Sequence, residues 1–497
     1  MSVRPKIQVL DQAGIDQVVE AAYNLLETFG VQIKDDEILK ILADGGARVD
    51  FKEQVAFIPA KMVDRALATV PSSFSVFSQD QTQEAKLAGD EVHYAAGSLP
   101  VHLLDSETEI IRAPTIPDLI SINRLIETLE NLAFQTGPIL PEGIPEPVQD
   151  VYRFLINMVH SNKPYFGGAL SVEGMVCQIE MLEVLRGSRA ELKSKPRVIF
   201  AANPSAPLSW GPIIARNLVD SAKASIPVML IPMPLPGGTV PVTLAGTLTD
   251  HTAENLSGIV LSQLVNPGAP ILYGGGAILL DMGTGMSCIG AIESHLLGSG
   301  YSLIGKHLNL PTASNIGQSD SQRVDSQAGL ESGIGMIIAA LSGINLSRGA
   351  GMLNFANCQS MEKLVIDNNI CGMGLRLVKG IQVDPETIAL TEYAKAGRGS
   401  QGHLTSRHTL DWFRKELFFP SPAINRRAAR TGQRTSSAFE RAREEVKERL
   451  TKHQPVPLEE EKRKELERIV LAYAKARGIS KLPRIWPEYR PDEVIGG

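Results

Sequence analysis

The stretch PVMLIPMPLPGGTVPVTLAGTLTDHTAENLSGIVLSQLVNPGAPILYGGG, Pro227 to Gly276, holds one full period of the chain's organisation. A short apolar run opens at Pro227, a helix-length amphipathic stretch follows, and a second apolar run opens at Pro270 and closes on glycines. Outward from this unit the pattern recurs about eight times between Glu91 and Gly351. The runs predict strands over His93 to Ser98, Leu132 to Gly137, Pro164 to Leu170, Arg197 to Asn203, Pro227 to Met233, Pro270 to Gly275, Pro311 to Gly317 and Gly343 to Gly349. They return every 30 to 43 residues, which suits one strand, one helix and two short loops. Several open on proline, tolerated at a first strand position, and their near-continuous apolar content fits strands covered on both faces. The pattern predicts an α/β chain built on a (β/α)8 TIM barrel.

At 497 residues the chain is longer than such a barrel. Residues 1–90 read as an N-terminal extension, with helical patterns at Gln12 to Phe29 and Asp35 to Ala43 and short strands within Phe57 to Phe77. The barrel occupies 91–384 as the catalytic domain. Residues 385–497 turn polar and read as a helical extension, with exposed helices over Arg426 to Arg449 and Leu458 to Arg477 and a break at Pro455 and Pro457. This extension raises the expectation of a homo-oligomer. Apolar content of 43% supports a large core, and a net charge of −6 gives no reason to expect nucleic acid. The basic cluster Arg426, Arg427, Arg430, Arg434 is interleaved with glutamates and reads as a solvated helix face. Four cysteines without a CxxC pair, and no long apolar segment at the N-terminus or elsewhere, suggest a cytoplasmic protein with no membrane partner.

In a barrel the C-terminal strand ends converge on one mouth, which makes Tyr94, Gly97, Gln135, Phe166, Asn203, Met233, Tyr273, Gly275, Gln318 and Arg348 the first candidates. No GxSxG, HExxH or Walker pattern occurs. Gly274 to Gly276 could cradle a phosphate, but no GK[ST] follows, and a close backbone approach is the simpler reading. His403 and His408 are five apart in a loop-like context with no thiolate nearby, so no metal site is expected. A site poor in titratable catalysts but holding aromatics and scattered carboxylates suits a substrate that is already activated and cationic. Quaternary ammonium groups are drawn to aromatic faces by about 0.5 to 2 kcal/mol per contact. Moving a methyl group off such a nitrogen releases a neutral amine, so the leaving group needs no acid.

Four blocks in order, SQLVNPGAPILYGGG (Ser262 to Gly276), DMGTGMSCIGAIE (Asp281 to Glu293), SDSQRVDSQAG (Ser319 to Gly329) and RGAGML with LVIDN (Arg348 to Leu353, Leu364 to Asn368), resemble the trimethylamine methyltransferase family. Weaker similarity includes GHLTSRHT (Gly402 to Thr409) and spans nearly the whole chain. The resemblance implies a barrel enzyme that passes a methyl group from an amine to the Co(I) corrinoid of a separate small carrier protein, with no cofactor bound by this chain. Archaeal members carry pyrrolysine near the SDS block, where this chain has only ordinary residues from Asn315 to Asp320. That departure puts trimethylamine in doubt and favours glycine betaine, a permanent cation with a carboxylate. Proline betaine, carnitine, γ-butyrobetaine and trimethylamine stay open as substrates, and a non-catalytic betaine-binding protein stays open as another class. The candidate catalytic residues are Gln318, Asp320 and Glu254. Tyr94, Phe166, Tyr273 and Phe355 are candidate cage walls, and Glu293 a candidate partner of the cation. Arg348 is either a carboxylate anchor or one half of an ion pair with Asp320 or Glu331.

Overall fold

The computed structural model describes residues 3–396, 402–454, 458–485 and 490–495. Eight short strands form its centre: β1 (His93–Ala96), β2 (Gln135–Thr136), β3 (Tyr165–Gly167), β4 (Val198–Ala202), β5 (Val228–Leu230), β6 (Ile271–Tyr273), β7 (Ala313–Ser314) and β8 (Leu346–Ala350). Every pairing among them is parallel, and β8 pairs back onto β1. Single parallel bridges, Ala95 with Phe134 and Tyr273 with Thr312, close the two remaining gaps. The sheet is therefore a closed ring of eight, as the apolar period predicted. Each strand leads into a helix: α1 (Ile116–Glu127), α2 (Gln149–Val159), α3 (Val172–Arg186), α4 (Pro212–Lys223), α5 (Leu244–Val265), α6 (Ile292–His307), α7 (Ser326–Leu341) and α8 (Met361–Leu377).

Alternation along the strands sorts the core into two populations. Ala95, Phe134, Phe166, Ile199, Met229, Leu272, Ala313 and Leu346, one from each strand or its flank, form a cluster of their own inside the ring. Their neighbours, among them Tyr94, Tyr165, Phe200 and Tyr273, belong to the larger core shared with the helices. A hairpin, Phe74–Phe77 with Glu84–Leu87, adds Val76, Ala85 and Leu87 to the inner cluster. It plugs the end where the strands begin: Asn345, just before β8, donates to the carbonyls of Ala88, Gly89 and Glu91. Arg186 at the end of α3 donates to those of Phe77, Ser78 and Gln79. With that floor closed, only the C-terminal strand ends remain as a mouth.

The N-terminal helices Gln12–Thr28 and Ala60–Leu67 lie on α5. Short strands were expected within Phe57 to Phe77, but Ala60–Leu67 is a helix between the strands Val55–Phe57 and Phe74–Phe77. Its buried residues Met62, Val63 and Ala66 fall on one helical face after Pro59, a spacing that overrides the β-like composition around it. The helix expected from Arg426 starts only at Ala438, where Ser437 and Glu440 form a capping box. Neither C-terminal helix is merely an exposed cover: Ala438–Lys452 buries Phe439, Ala442 and Val446, and Glu460–Lys475 buries Leu466, Ile469 and Val470. The break expected at Pro455 and Pro457 lies outside the described residues, as do residues 486–489 and 496–497 of the expected extension. No helix of the described residues is long and apolar enough to cross a membrane.

Candidate active site at the barrel mouth

Two residues beyond the inner apolar layer, alternation places a second inward layer nearer the mouth, and half of it is glycine or alanine. Gly97, Gly168, Ala201 and Gly274 follow Ala95, Phe166, Ile199 and Leu272 at that interval, so the ring hollows out there. The polar members of the same layer are Thr136 in β2, Asn315 on the end of β7 and Arg348 in β8.

Arg348 is buried, with 5% of its surface exposed, and its guanidinium carbon stands 3.7 Å over the centre of the Phe166 ring. Nη1 donates to Ser98 Oγ at 3.0 Å and Nη2 to Asn315 Oδ1 at 2.7 Å. Nε is buried without a partner. Burial pulls the guanidinium's pKa down to about 9, which leaves it charged at neutral pH. Close by in space, Gln318 makes only long contacts through Nε2, at 3.5 Å to the Asn315 and Arg348 carbonyls, and its buried Oε1 accepts nothing. The mouth thus holds an unused donor on a full positive charge and an unused acceptor.

The two carboxylates that could have neutralised Arg348 are engaged elsewhere. Asp320 accepts from the Ile289 and Gly290 amides, both at 2.9 Å, and burial raises its pKa. Glu331 accepts from Ser319 Oγ at 2.6 Å and from the Asp320 amide at 2.9 Å. Together they latch the loop after β6 to the loop after β7, which gives Asp320 a structural occupation in place of a contact with the reacting groups.

The aromatic cage does not assemble. Tyr94 points away from the mouth and donates to the Met336 carbonyl of α7 at 2.7 Å. Tyr273 points into the helices and donates to Thr252 Oγ1 at 3.0 Å. Both alternate with inner residues, Ala95 and Leu272, and so face the helices. Phe166 does face inward, but Arg348 covers one face of its ring. Phe355 stands half-buried in the turn Asn354, Phe355, Ala356, whose φ values of 51°, 55° and 62° are all left-handed, an unusual run for residues other than glycine.

Glu254 lies in α5, fully buried, where Oε1 accepts from the Leu208 amide at 2.8 Å and Oε2 has no partner. Burial and the neighbouring Asp250 one turn earlier hold its carboxyl well above the usual range. It supports the loop after β4 and makes no contact with Arg348 or Gln318. Glu293 is exposed on the first turn of α6. The three glycines of Gly274 to Gly276 serve close packing: a Cβ at Gly274 would meet the Leu230 carbonyl at 2.6 Å, and one at Gly276 would meet Met233 Cγ at 2.7 Å. Among the described residues no group of three or more His, Cys, Asp or Glu is arranged to hold a metal. His403 and His408 belong to separate ring pairs with Tyr393 and Trp412.

Ser98 and Asn315, which orient the guanidinium, were not singled out from the sequence. Asn315 carried a signal, since it follows the inner residue Ala313 by two; Ser98 carried none that local pattern could reveal.

A family profile described as trimethylamine methyltransferase (MTTB) matches residues 2–477. The trimethylamine methyltransferase MttB of Desulfitobacterium hafniense (strain DSM 10664 / DCB-2) is 30% identical over 424 residues, 84% of this chain and 85% of that protein. The glycine betaine methyltransferase of Desulfitobacterium hafniense (strain Y51) is 29% identical over 422 residues, 84% of this chain and 87% of that one. Among solved structures, the monomethylamine methyltransferase MtmB of Methanosarcina barkeri aligns with a TM-score of 0.48 at 10% identity, over 92% of this chain and 96% of its own.

Proposed function

We propose, for a chain that belongs to the trimethylamine methyltransferase family, that its substrate is a quaternary amine carrying a carboxylate, glycine betaine first. The chain is an enzyme of the methyltransferase class. The observation that carries the substrate reading is Arg348, a buried guanidinium at the mouth with an unpaired Nε and only neutral side-chain partners. A buried charge left without a counter-ion costs several kcal/mol, and a ligand carboxylate is the group that would recover it.

On this reading Arg348 holds the carboxylate, with Ser98 and Asn315 fixing the plane of the guanidinium. The ammonium end then lies towards the opening, where the free Oε1 of Gln318 offers a partial negative charge. Carboxylate and cation of a betaine thus meet complementary groups. The amine leaves as a neutral species, so the chain need supply no proton and Glu254 and Asp320 can keep their structural partners. The methyl acceptor is the Co(I) corrinoid of a separate small carrier protein, which would supply the nucleophile at the mouth. The enzyme's share is to orient the donor, exclude water and leave the N-methyl carbon open to that approach.

The test is a substrate panel with Co(I) cobalamin or a cognate carrier, read as loss of the Co(I) absorption. Glycine betaine, proline betaine, carnitine and γ-butyrobetaine are set against trimethylamine and tetramethylammonium. Preference for a carboxylated quaternary amine supports the proposal. Equal rates with tetramethylammonium remove the anchor role of Arg348, and no loss of Co(I) with any amine ends the reading.

A further inference from the structure

An ammonium group at the mouth needs a seat, and the aromatic and acidic groups nearest to hand are occupied. Phe166 carries Arg348 on one face of its ring, and Asp320 and Glu331 hold the latch between the loops after β6 and β7.

The glycines of the strand ends show what fills the walls instead. Gly97 follows the inner residue Ala95 by two, so a side chain on it would enter the ring. Its place is taken: a Cβ on Gly97 would collide with Cγ and Sδ of Met352. Gly276 follows Gly274 by two, and a Cβ there would meet Cγ, Cε and Sδ of Met233 at 2.7, 2.8 and 3.0 Å. Each glycine keeps the wall low enough for a methionine from a neighbouring strand end to lie across it. Gly274 does the same for Met229, which belongs to the apolar layer beneath.

Met352 is 2% exposed, yet it joins none of the apolar clusters of the core. Its short strand, Met352–Leu353, explains this: Leu353 packs with Ala328 and Phe439 on the outer side, and alternation turns Met352 the other way, over the ring. The Met352 carbonyl accepts from the Ser319 amide at 3.3 Å, next to Gln318. Gly97, across which its side chain lies, precedes Ser98, the partner of Arg348 Nη1. Met352 thus lies beside both halves of the proposed site. Met233 stands half-buried where β5 and β6 run out, on the edge of the inner cluster.

A thioether suits the task. Sulfur is neutral and polarizable, and the unbranched side chain adapts to an irregular wall. A quaternary ammonium spreads its charge over its N-methyl groups and donates no conventional hydrogen bond, so contact with polarizable atoms helps to offset its desolvation. The neutral amine that leaves gains less from the same wall, which favours its release.

We propose that the thioethers of Met233 and Met352 seat the ammonium group and set the preference for a cation over a neutral group of the same shape. This rests on the reading of the substrate as a carboxylated quaternary amine, and calorimetric titration of the full chain with three probes separates the two. The probes are glycine betaine, its neutral-headed isostere 3,3-dimethylbutanoate, and tetramethylammonium. Met352→Leu and Met233→Leu keep the volume and remove the sulfur, with circular dichroism to confirm that each variant is folded. Each is expected to weaken glycine betaine and tetramethylammonium by roughly fivefold while 3,3-dimethylbutanoate stays within about twofold. Equal loss for all three probes, or loss for none, overturns the inference. The substrate reading fails separately, if the wild type binds tetramethylammonium as tightly as glycine betaine. In that case a loss of tetramethylammonium affinity in the variants still upholds the methionine seat, and unchanged affinity overturns it. A wild type that binds none of the three overturns both.

Discussion

Two buried cations, Lys163 and Arg348, lie at opposite ends of the barrel and show what burial of a charge means in each place. Lys163 stands just before β3, and its Nζ donates to the carbonyls of Ile126, Leu129 and Leu132 at 2.8, 2.7 and 2.6 Å. Its three donors are matched by three acceptors at the end of α1, so it caps a helix and has nothing left for a ligand. Arg348 keeps a donor unused, touches only neutral side chains and stands where the inner layer thins to glycine. On the reading proposed above, the difference separates a charge buried for architecture, satisfied within the chain, from one kept for a ligand.

The largest expected effect tests the architectural cation. Lys163→Met leaves three carbonyls without donors and should lower unfolding free energy by about 3 to 5 kcal/mol, measured by urea denaturation. A loss below about 1 kcal/mol would show that water replaces the ammonium and would erase the contrast. Next comes the recognition cation: Arg348→Ala should reduce kcat/KM for carboxylated quaternary amines by about 100-fold, near 2.7 kcal/mol, while tetramethylammonium changes little. Stability should hold or rise, because an uncompensated buried charge is removed.

Asn315→Ala sharpens the comparison further, since it frees Nη2 without removing the charge. A drop of about tenfold in kcat/KM is expected, mainly through KM, with partial recovery in Asn315→Asp excluded because a carboxylate there would compete with the substrate. The smallest effect concerns Glu254, whose raised pKa means that the folded state holds its proton more tightly than the unfolded state does. Its stabilising contribution is complete below the ordinary carboxylate pKa of about 4.3 and declines as pH rises towards the raised folded value. Thermal stability of the wild type should therefore fall from mildly acidic to alkaline pH, and Glu254→Gln should flatten that slope by about 1 kcal/mol. A parallel profile in the variant would assign the pH dependence to other groups.

The eight strands were legible because each is announced locally, by an apolar run of strand length followed by a turn residue and a helical period. What those runs could not announce is parity. Strands covered on both faces are apolar at every position, so Tyr94 and Ala95, or Leu272 and Tyr273, look interchangeable until the ring is built. One residue of parity moves a tyrosine from the mouth to the helical shell, which is why the aromatic cage failed while Phe166, in the same list, faces inward.

Periodicity along the chain was enough to predict the barrel and to put Arg348 at a C-terminal strand end, because strand and helix periods are local patterns. Which carboxylates stand beside that cation is a matter of through-space distance. Asp320 and Glu331 were equally available on paper, and only the folded loops, by offering them the amides of Ile289, Gly290 and Asp320 and the hydroxyl of Ser319, drew them away and left the guanidinium unpaired.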